Sequence, residues 1–386
     1  MSLAPVTARA RPARRGALPA ILGLGTASPP SVPQETCAAL AASLTQPSVE
    51  QRAWLQRVFL HSGIRARGTV LAAADTPALE ALCAFYPPPG AADDRGPTTA
   101  ARMARYQAEA PPLAARAATQ ALADAGTAAD AITHLVTASC TGFFAPGLDA
   151  ALVERLGLPR RVQRLHVGFM GCHAAFNALA AARDAVRAAP AARVLVCCVE
   201  LCSLHFAYGW DPGRMVANAL FADGAAAAVL GAAPPRAGAT STPPAAWRLR
   251  DAASYLIPGC PDAMTWRIGD HGFVMTLAAE VPGLVRRHLR GWCDAWLAHH
   301  GLGVRDVAGW AIHPGGPRVL AAAASALSLR DDDVRFSREV LAAHGNMSSA
   351  TVLFILQAMA EAQSPGPCVA IGLGPGLMIE GLLLER

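Results

Sequence analysis

One cysteine of the 386-residue chain lies where a nucleophilic thiol could work. Cys172 follows Gly171 at the end of an apolar segment, and Phe176, Leu179 and Ala180 then recur at helical spacing. This pattern predicts a strand-to-helix turn, where the partial positive charge of a helix N-terminus lowers a thiol pKa and stabilises the thiolate. A small cysteine buried in a core is the alternative, and this segment alone does not decide between them.

A histidine and an asparagine further along the chain could act with this thiol. His313 ends the apolar segment 309–312 and precedes Pro-Gly-Gly-Pro at 314–317, which places it at the carboxyl end of a strand, where open α/β sheets bind ligands. A histidine hydrogen-bonded within a loop is the alternative. Asn346 follows Gly345 just before an apolar helix and would by itself predict a helix N-cap. Cysteine, histidine and asparagine in this order and these contexts nevertheless form the constellation of a condensing enzyme.

The segments around these three residues predict alternating strands and helices. Short apolar segments typical of buried strands alternate with longer Ala- and Leu-rich segments of helical periodicity. This order indicates βαβ units and a largely parallel sheet, and its occurrence in both halves indicates a pseudo-duplicated layered α/β fold. The segments are a first buried strand at 17–25, a strand at 132–139 with a helix at 147–156, a strand at 193–200, and a strand at 309–313 with a helix at 318–327.

Two stretches rich in glycine and proline interrupt this alternation. The stretch 233–246, which also contains serine and threonine, is the predicted boundary between the halves. Gly-Leu-Gly-Pro-Gly at 372–376 lacks the context of a dinucleotide fingerprint and predicts a tight, rigid loop. We therefore divide the chain into a flexible N-terminal arm at 1–16, an N-terminal half at 17–235 with Cys172, and a C-terminal half at 236–386 with His313 and Asn346.

Composition restricts the class of protein. With 53% hydrophobic and 16% charged residues the chain can bury a large core, which excludes fibrous and disordered classes. All 33 basic residues are arginines, so Schiff-base chemistry of a lysine amine is excluded as well. The net charge of +5 comes from scattered arginines without a zinc-finger or RNA-binding motif, and we expect no nucleic-acid partner.

Cysteine spacing and hydropathy restrict the compartment. Ten cysteines at irregular spacing, several within apolar segments, indicate reduced thiols in a cytoplasmic protein rather than disulfides or a metal site. No segment reaches the ~18 uninterrupted apolar residues of a membrane span. A modestly basic surface suits anionic small molecules such as coenzyme A thioesters.

Five motifs resemble those of the type III polyketide synthases, the chalcone synthase superfamily, and the resemblance extends over residues 20–384. The motifs are Gly-Cys at 171–172, ALFADGA at 219–225, IHPGGP at 312–317, GNMSSA at 345–350 and GLGPG at 372–376. The segments 166–173 and 266–273 resemble bacterial alkylpyrone and alkylresorcinol synthases in particular. The resemblance implies a thiolase-like αβαβα fold, a homodimer, and no cofactor or metal besides the coenzyme A thioester substrates.

The resemblance also implies roles for individual residues. Cys172 would carry the starter acyl group, with His313 holding the sulfur as thiolate. His313 and Asn346 would donate hydrogen bonds to the enolate oxygen formed when malonyl-CoA loses carbon dioxide. Phe221 would be the gatekeeper between a coenzyme A tunnel and the acyl cavity, and Arg57 would contact coenzyme A phosphates. The other implied substrate-binding residues are Cys140, Cys202, His205, Met275, Ser348, Gly372, Gly374 and Pro375.

The starter acyl group is the least determined part of this hypothesis. Met275 stands where plant members have a cavity phenylalanine, and a flexible thioether there favours an open pocket and a fatty acyl starter. We expect repeated condensation with malonyl-CoA and cyclisation to a pyrone or a resorcinol. The alternatives are a synthase that uses malonyl-CoA alone to make phloroglucinol or tetrahydroxynaphthalene, a ketoacyl synthase III-like enzyme dependent on acyl carrier protein, and an acyl-binding scaffold without catalysis.

Overall fold

The computed structural model describes residues 18–73, 75–233 and 247–386. The predicted N-terminal arm at 1–16 and the predicted boundary between 235 and 236 lie outside the described residues. The predicted strands and helices of the two halves agree with the structure to within two residues at nearly every end, as the bounds below show.

The described residues form strands in both halves. In chain order they are β1 (Pro19–Ala27), β2 (Ser31–Pro33), β3 (Ala66–Gly68), β4 (His134–Ser139), β5 (Gln163–Gly168), β6 (Val194–Leu201), β7 (Asp223–Ala232), β8 (Trp247–Leu256), β9 (Met264–Gly269), β10 (Gly272–Leu277), β11 (Gly309–Ile312), β12 (Cys368–Gly374) and β13 (Met378–Glu385).

The helices alternate with these strands. They are α1 (Gln34–Thr45), α2 (Val49–Leu60), α3 (Ala78–Phe85), α4 (Thr99–Asp124), α5 (Leu148–Leu156), α6 (Ala174–Ala188), α7 (Pro212–Leu220), α8 (Val281–Ala298), α9 (Pro317–Leu327), α10 (Arg335–His344) and α11 (Thr351–Glu361). Short 3-10 turns precede several of them, and two matter for the site, at Gly171–His173 before α6 and at Ser348–Ala350 before α11.

A nine-stranded sheet in the order β11-β12-β13-β8-β1-β7-β6-β4-β5 joins the two halves. Strands β1, β7, β6 and β4 of the first half are repeated by β8, β13, β12 and β11 of the second, and the two sets meet where β1 pairs with β8. This repeat of strand order confirms the pseudo-duplication.

The prediction of a largely parallel sheet is wrong. Only β4 with β5 and β6, and β11 with β12, pair in parallel, whereas the other neighbours in the nine-stranded sheet are antiparallel. The short turn 375–377 between β12 and β13 accounts for one antiparallel pair, because a parallel connection needs a crossover of a dozen or more residues.

Side chains along the central strands point alternately to opposite faces of the sheet and pack into separate core clusters, which gives five layers. On β6, Val194, Val196 and Cys198 face one core cluster while Leu195, Cys197 and Val199 face another, as the period of two in a strand requires. The first cluster contains α6 and α11, and the second contains α4. Strand β12 likewise separates the cluster of α6 and α11 from that of α8 and α9. The predicted αβαβα layering is therefore confirmed, with α6 and α11 as the central layer.

The central layer positions the site. Helices α6 and α11 begin at the same end of the molecule, and the 3-10 turns that precede them contact each other. The carboxyl end of β11 opens at this end too, because β11 pairs in register with β12, whose residues contact the turn before α6. The residues just before α6, those just before α11 and the residue just after β11 are thereby brought to the same end of the molecule.

Candidate active site

Cys172 lies in the 3-10 turn that leads directly into α6, close to the predicted strand-to-helix position. The preceding Gly171 has φ +71°, and a Cβ on it would lie 2.4 Å from Cδ of Pro375. Only glycine fits there without moving that proline. The close approach of Gly171 to Pro375 fixes the position of Cys172 relative to the turn after β12.

Burial dominates the ionisation of this thiol. Desolvation raises the pKa of Cys172 to about 11, the polar side chains of Ser348 and Asn346 oppose the rise because they would stabilise a thiolate, and the charge of Glu200 adds to it. The thiol pKa is therefore raised, opposite to the direction predicted from the helix N-terminus. Cys172 is a thiol at neutral pH and must lose its proton as it reacts.

Asn346 is held so that its amide nitrogen is left free. Its backbone forms a bridge to the chain around Phe221, with its N–H donating to the Leu220 carbonyl and its carbonyl accepting from Ala222 N–H, both at 2.9 Å. Its Oδ1 accepts from the backbone N–H of Ser348 at 2.8 Å. The buried Nδ2 has no hydrogen-bond partner within the described chain. The amide therefore presents donor hydrogens, and Asn346 is not the N-cap of α11.

His313 follows β11 directly, and its N–H donates to the Ile371 carbonyl at 2.8 Å. Its side chain is fully buried, and neither ring nitrogen has a hydrogen-bond partner among the described residues. Burial, with a smaller contribution from His173, lowers the pKa of His313 to about 3. The imidazole is therefore neutral near pH 7 and offers one N–H donor and one acceptor nitrogen.

Two cavities lie on either side of α7. The inner cavity, of about 250 Å³, contains Cys172, Phe221 and Ser348 in its wall. The outer cavity, of about 630 Å³, is lined by α2, by α7 and by the Gly315–Pro317 end of the segment that follows His313. Cys172 therefore faces the inner cavity, and the outer cavity lies on the opposite side of α7.

Helix α7 is the partition between these cavities. Asp211 caps it by accepting from the backbone N–H of Arg214 at 2.8 Å, and Pro212 begins it. Its residues then alternate at helical spacing between the two sides. Arg214, Ala217, Asn218 and the following Phe221 line the inner cavity, whereas Gly213, Val216, Ala219 and Leu220 line the outer one.

Most predicted substrate-binding residues do line a cavity. The structure places Arg57 in the wall of the outer cavity, where Arg318 is the second guanidinium. The residues that it places around the inner cavity are Cys140, Cys202, His205, Met275, Ser348 and Pro375.

Gly372 and Gly374 are the exceptions, since neither lines a cavity. Both belong to β12, so the predicted loop at 372–376 is reduced to the turn after Gly374. A Cβ on Gly372 would lie 2.5 Å from the Phe176 ring, and one on Gly374 would lie 2.4 Å from Cδ2 of His173. The glycines let β12 pass against the start of α6 and so position the Cys172 turn, and their contact with substrate stays a prediction.

Glu200 is a site residue that the sequence reasoning missed. It is fully buried, accepts from the backbone N–H of Cys140 at 3.0 Å and from Thr141 Oγ1 at 2.7 Å, and accepts from Ser349 Oγ at 2.5 Å. Burial raises the pKa of its carboxyl group. Glu200 joins the end of β4 to the turn before α11, across the two halves. An acidic residue within the apolar segment 194–201 was the available signal.

An aromatic wall closes the inner cavity on the side of β9 and β10. The rings of His205 and Phe273 stack at 4.3 Å, and Trp266 Nε1 donates to the Cys140 carbonyl at 2.7 Å. His205 Nδ1 accepts from Phe273 N–H at 3.0 Å, so its Nε2 donates to the Thr141 carbonyl at 2.7 Å. Burial lowers the pKa of His205 to about 3, which leaves this ring neutral. His205 therefore shapes the cavity and does not carry a charge.

Arg67 supports Phe221 from outside the two cavities. Its guanidinium is buried against the rings of Phe59 and Phe206 and donates to the Phe221 carbonyl at 2.7 Å. Because Phe221 is also bridged to Asn346, Arg67 holds both residues in place. The resemblance did not single out this arginine.

Comparison with known proteins agrees with this geometry. Models of the chalcone and stilbene synthases match residues 7–234 with the N-terminal domain and residues 248–386 with the C-terminal domain. The chain is 36% identical over 288 residues to the alpha-pyrone synthesis polyketide synthase-like Pks18 of Mycobacterium tuberculosis, which covers 74% of this chain and 72% of that protein. It is 39% identical over 277 residues to the 1,3,6,8-tetrahydroxynaphthalene synthase of Streptomyces peucetius subsp. caesius, which covers 71% and 72%.

Solved structures give the same result. The crystal structure of PKS-I from the brown algae Ectocarpus siliculosus superposes with a TM-score of 0.88 at 31% identity, over 97% of this chain and 99% of that one. The layered fold and its buried thiol define an enzyme of the acyltransferase class. The chain belongs to the chalcone and stilbene synthase family, the type III polyketide synthases.

Two observations concern membranes and metals. In the part of the chain that the structure describes, no helix has the length and hydrophobicity needed to cross a bilayer. The same residues contain no group of three or more histidine, cysteine or acidic side chains that could hold a metal ion. A cytoplasmic location stays a prediction.

Proposed function

We propose that the chain condenses an acyl-CoA starter with malonyl-CoA by iterative decarboxylative Claisen condensation and cyclises the product to a pyrone or a resorcinol. One observation carries the proposal. The Asn346 side chain acts on the buried thiol of Cys172, the neutral imidazole of His313 lies close enough to be affected by His173, the residue after Cys172, and the amide nitrogen of Asn346 and both ring nitrogens of His313 have no hydrogen-bond partner in the described chain. Unpartnered buried polar atoms are costly, and a substrate oxygen would satisfy them.

Loading of the starter begins the cycle. The acyl-CoA enters through the outer cavity, with Arg57 and Arg318 neutralising its phosphates. Cys172 Sγ attacks the thioester carbonyl while the acceptor nitrogen of His313 takes the thiol proton. The bond from the carbonyl carbon to the coenzyme A sulfur breaks, and the leaving thiolate takes the proton back. The acyl group is left on Cys172 in the inner cavity.

Decarboxylation of malonyl-CoA follows in the same place. The bond between its carboxylate and the methylene carbon breaks, carbon dioxide leaves, and the electron pair moves onto the thioester oxygen as an enolate. The Asn346 Nδ2–H and the N–H of neutral His313 stabilise that oxygen. The enolate carbon then attacks the acyl carbonyl, the Cys172 thiolate leaves, and the chain is two carbons longer.

A fatty acyl starter is supported by the wall of the inner cavity. Phe206, Phe273, Val274 and Met275 make much of that wall apolar, and His205 is neutral. Burial also raises the pKa of Cys140 and of Cys202, so both are uncharged thiols there. The apolar part of this wall favours an alkyl chain over a polar starter, whereas Arg95, Arg214 and Asp270 place charge elsewhere in the lining.

A synthase that uses malonyl-CoA alone is the second candidate. An inner cavity of about 250 Å³ is small for a long alkyl chain together with a growing polyketide. A tetrahydroxynaphthalene synthase is also among the relatives. Both observations favour a short starter and a compact product.

Mass spectrometry of the products separates these candidates. The purified protein is given malonyl-CoA with coenzyme A esters from acetyl to stearoyl, and one reaction contains no starter. Pyrones or resorcinols whose mass follows the alkyl chain establish the fatty starter. Product from malonyl-CoA alone establishes the second candidate. A protein that decarboxylates malonyl-CoA but forms no condensed product with any ester contradicts the proposed function.

We also propose that two copies of the chain form a dimer through β5. This strand is the exposed edge of the nine-stranded sheet, and no described strand covers its outer side. Leu165, Phe143, Phe169 and Met170 are 38–51% exposed around it, although edge strands usually carry protective charges. A second copy would cover this surface. Light scattering should give twice the mass of the chain, and Leu165→Glu should give a monomer; an unchanged mass for that variant contradicts the assignment.

A further inference from the structure

The outer surface of α2 carries an apolar stripe that the described chain leaves uncovered. Val49 is 87% and Leu60 is 76% exposed, the two highest values among the exposed large hydrophobic residues described. Ala53 and Gln56 lie between them, both exposed, at spacings of four and three residues that place all four on one helix face. We refer to Val49, Ala53, Gln56 and Leu60 as the α2 stripe.

Positive charge flanks the α2 stripe on both sides. At 100° per residue, Arg52 lies on one flank and Arg57 on the other. Both are exposed, and neither forms an ion pair with an acidic side chain among the described residues. Elsewhere exposed arginines pair locally, as Arg290 does with Asp294 at 2.7 Å. The one acidic residue of α2 is Glu50, so the surface is basic on balance.

The α2 stripe adjoins the opening of the outer cavity. Trp54, Arg57 and His61, on the neighbouring face and end of the same helix, line that cavity, which α7 separates from the inner cavity of Phe221 and Cys172. A coenzyme A nucleotide accounts for Arg57. It does not account for two apolar side chains eleven residues apart, which lie about 16 Å from each other along a helix. A surface of that length with basic flanks fits the helix of an acidic protein.

We propose that the α2 stripe docks an acidic acyl carrier protein that delivers the starter on its phosphopantetheine arm. The proposal rests on the proposed acyl-transfer function, and it adds the source of the starter. The arm is the part of coenzyme A that passes through the outer cavity, so the same cavity admits it. Cys172 Sγ attacks the carrier-bound thioester carbonyl, the bond to the arm sulfur breaks, and that sulfur leaves as a thiol with the Cys172 proton.

The test compares three forms of one starter with malonyl-CoA held constant. They are dodecanoyl-CoA, dodecanoyl-pantetheine, and the dodecanoyl form of the acidic acyl carrier protein of bacterial fatty-acid synthesis. We expect kcat/KM for the carrier to exceed that for dodecanoyl-pantetheine about tenfold or more, and the advantage to shrink as salt is added. The double variant Arg52→Glu/Leu60→Ser should lose about tenfold with the carrier and nothing with dodecanoyl-CoA.

Arg305→Glu is the matched control, because Arg305 is also exposed and lies in the other half, before β11. It should leave all three values unchanged. A carrier no better than dodecanoyl-pantetheine, or a double variant that slows both substrates equally, overturns the proposal. So does a double variant that changes only the oligomeric state, since a second copy would then cover the stripe. Failure of wild-type protein with dodecanoyl-CoA alone contradicts instead the proposed use of free fatty acyl-CoA.

Discussion

The amide oxygen and the amide nitrogen of the Asn346 side chain have different roles, and a single substitution distinguishes these roles. Oδ1 accepts from Ser348 N–H at 2.8 Å and so holds the turn before α11, while Nδ2 has no partner in the described chain. Asn346→Asp keeps an oxygen for Ser348 and replaces the free donor by an acceptor. The variant should therefore keep the turn before α11, whereas the enolate loses a hydrogen-bond donor.

The size of the loss follows from the buried position of Asn346, which is 1% exposed. Removal of one preorganised oxyanion donor from a site without water costs about 2.7–4 kcal/mol, or about 10²–10³ in rate. A buried carboxylate facing the enolate would add repulsion, so we expect the upper part of that range. Asn346→Ala removes both ends and should in addition lower the melting temperature, because Ser348 N–H is left without its acceptor.

The assay is carbon dioxide release from malonyl-CoA, with no starter present. Intact-protein mass spectrometry of acylated Cys172 and thermal unfolding are measured on the same preparations. Decarboxylation by Asn346→Asp within about threefold of wild type, in a folded protein, would refute the donor role of Nδ2. A melting temperature for Asn346→Asp as low as that of Asn346→Ala would refute the separation of the two ends.

Three further substitutions test other parts of the site. Cys172→Ala should abolish condensation and leave malonyl-CoA decarboxylation measurable, since the enolate donors remain; condensed product from this variant, measured by mass spectrometry, would contradict the nucleophile. Met275→Phe should shift the accepted starters to shorter chains, and an unchanged chain-length profile would remove Met275 from the acyl wall. Burial raises the pKa of Asp223 from its usual value near 4 to about 6, so the folded state binds this proton more tightly than the unfolded state and stability falls as pH rises through that window. Denaturant unfolding should show wild type losing about 1.4 kcal/mol more than Asp223→Asn between pH 5 and pH 7.5, and parallel curves would contradict the shift.

Local patterns predicted the elements, and the place of His313 at a strand end, because each signal lies within a few residues. The strand predicted at 193–200 and the helix predicted at 147–156 agree with β6 and α5, whose hydrophobic periodicity is undisturbed. His313 was found because an apolar strand ends at it. The parallel sheet was a wrong inference, because alternation of strands and helices does not reveal which strands return antiparallel to their neighbours.

Features that depend on contacts between distant segments were not predictable. Gly372 and Gly374 read as loop residues, since glycine usually interrupts a strand. They belong to β12 because His173 and Phe176 occupy the space of their missing side chains. Helix α7 is another case, because its two faces line two cavities rather than a core and the solvent. No hydrophobic pattern distinguishes one cavity wall from another.

Duplication explains why the site lies between the halves. The turn that carries Cys172 precedes α6, and the equivalent turn before α11 follows Asn346. Cys140, after β4, occupies in the first half the place that His313 occupies after β11 in the second. Glu200 joins these equivalent regions through Ser349. The first half of the chain alone would hold Cys172, and the second half alone would hold His313 and Asn346. The proposed chemistry therefore requires the contact between the halves that Glu200 stabilises.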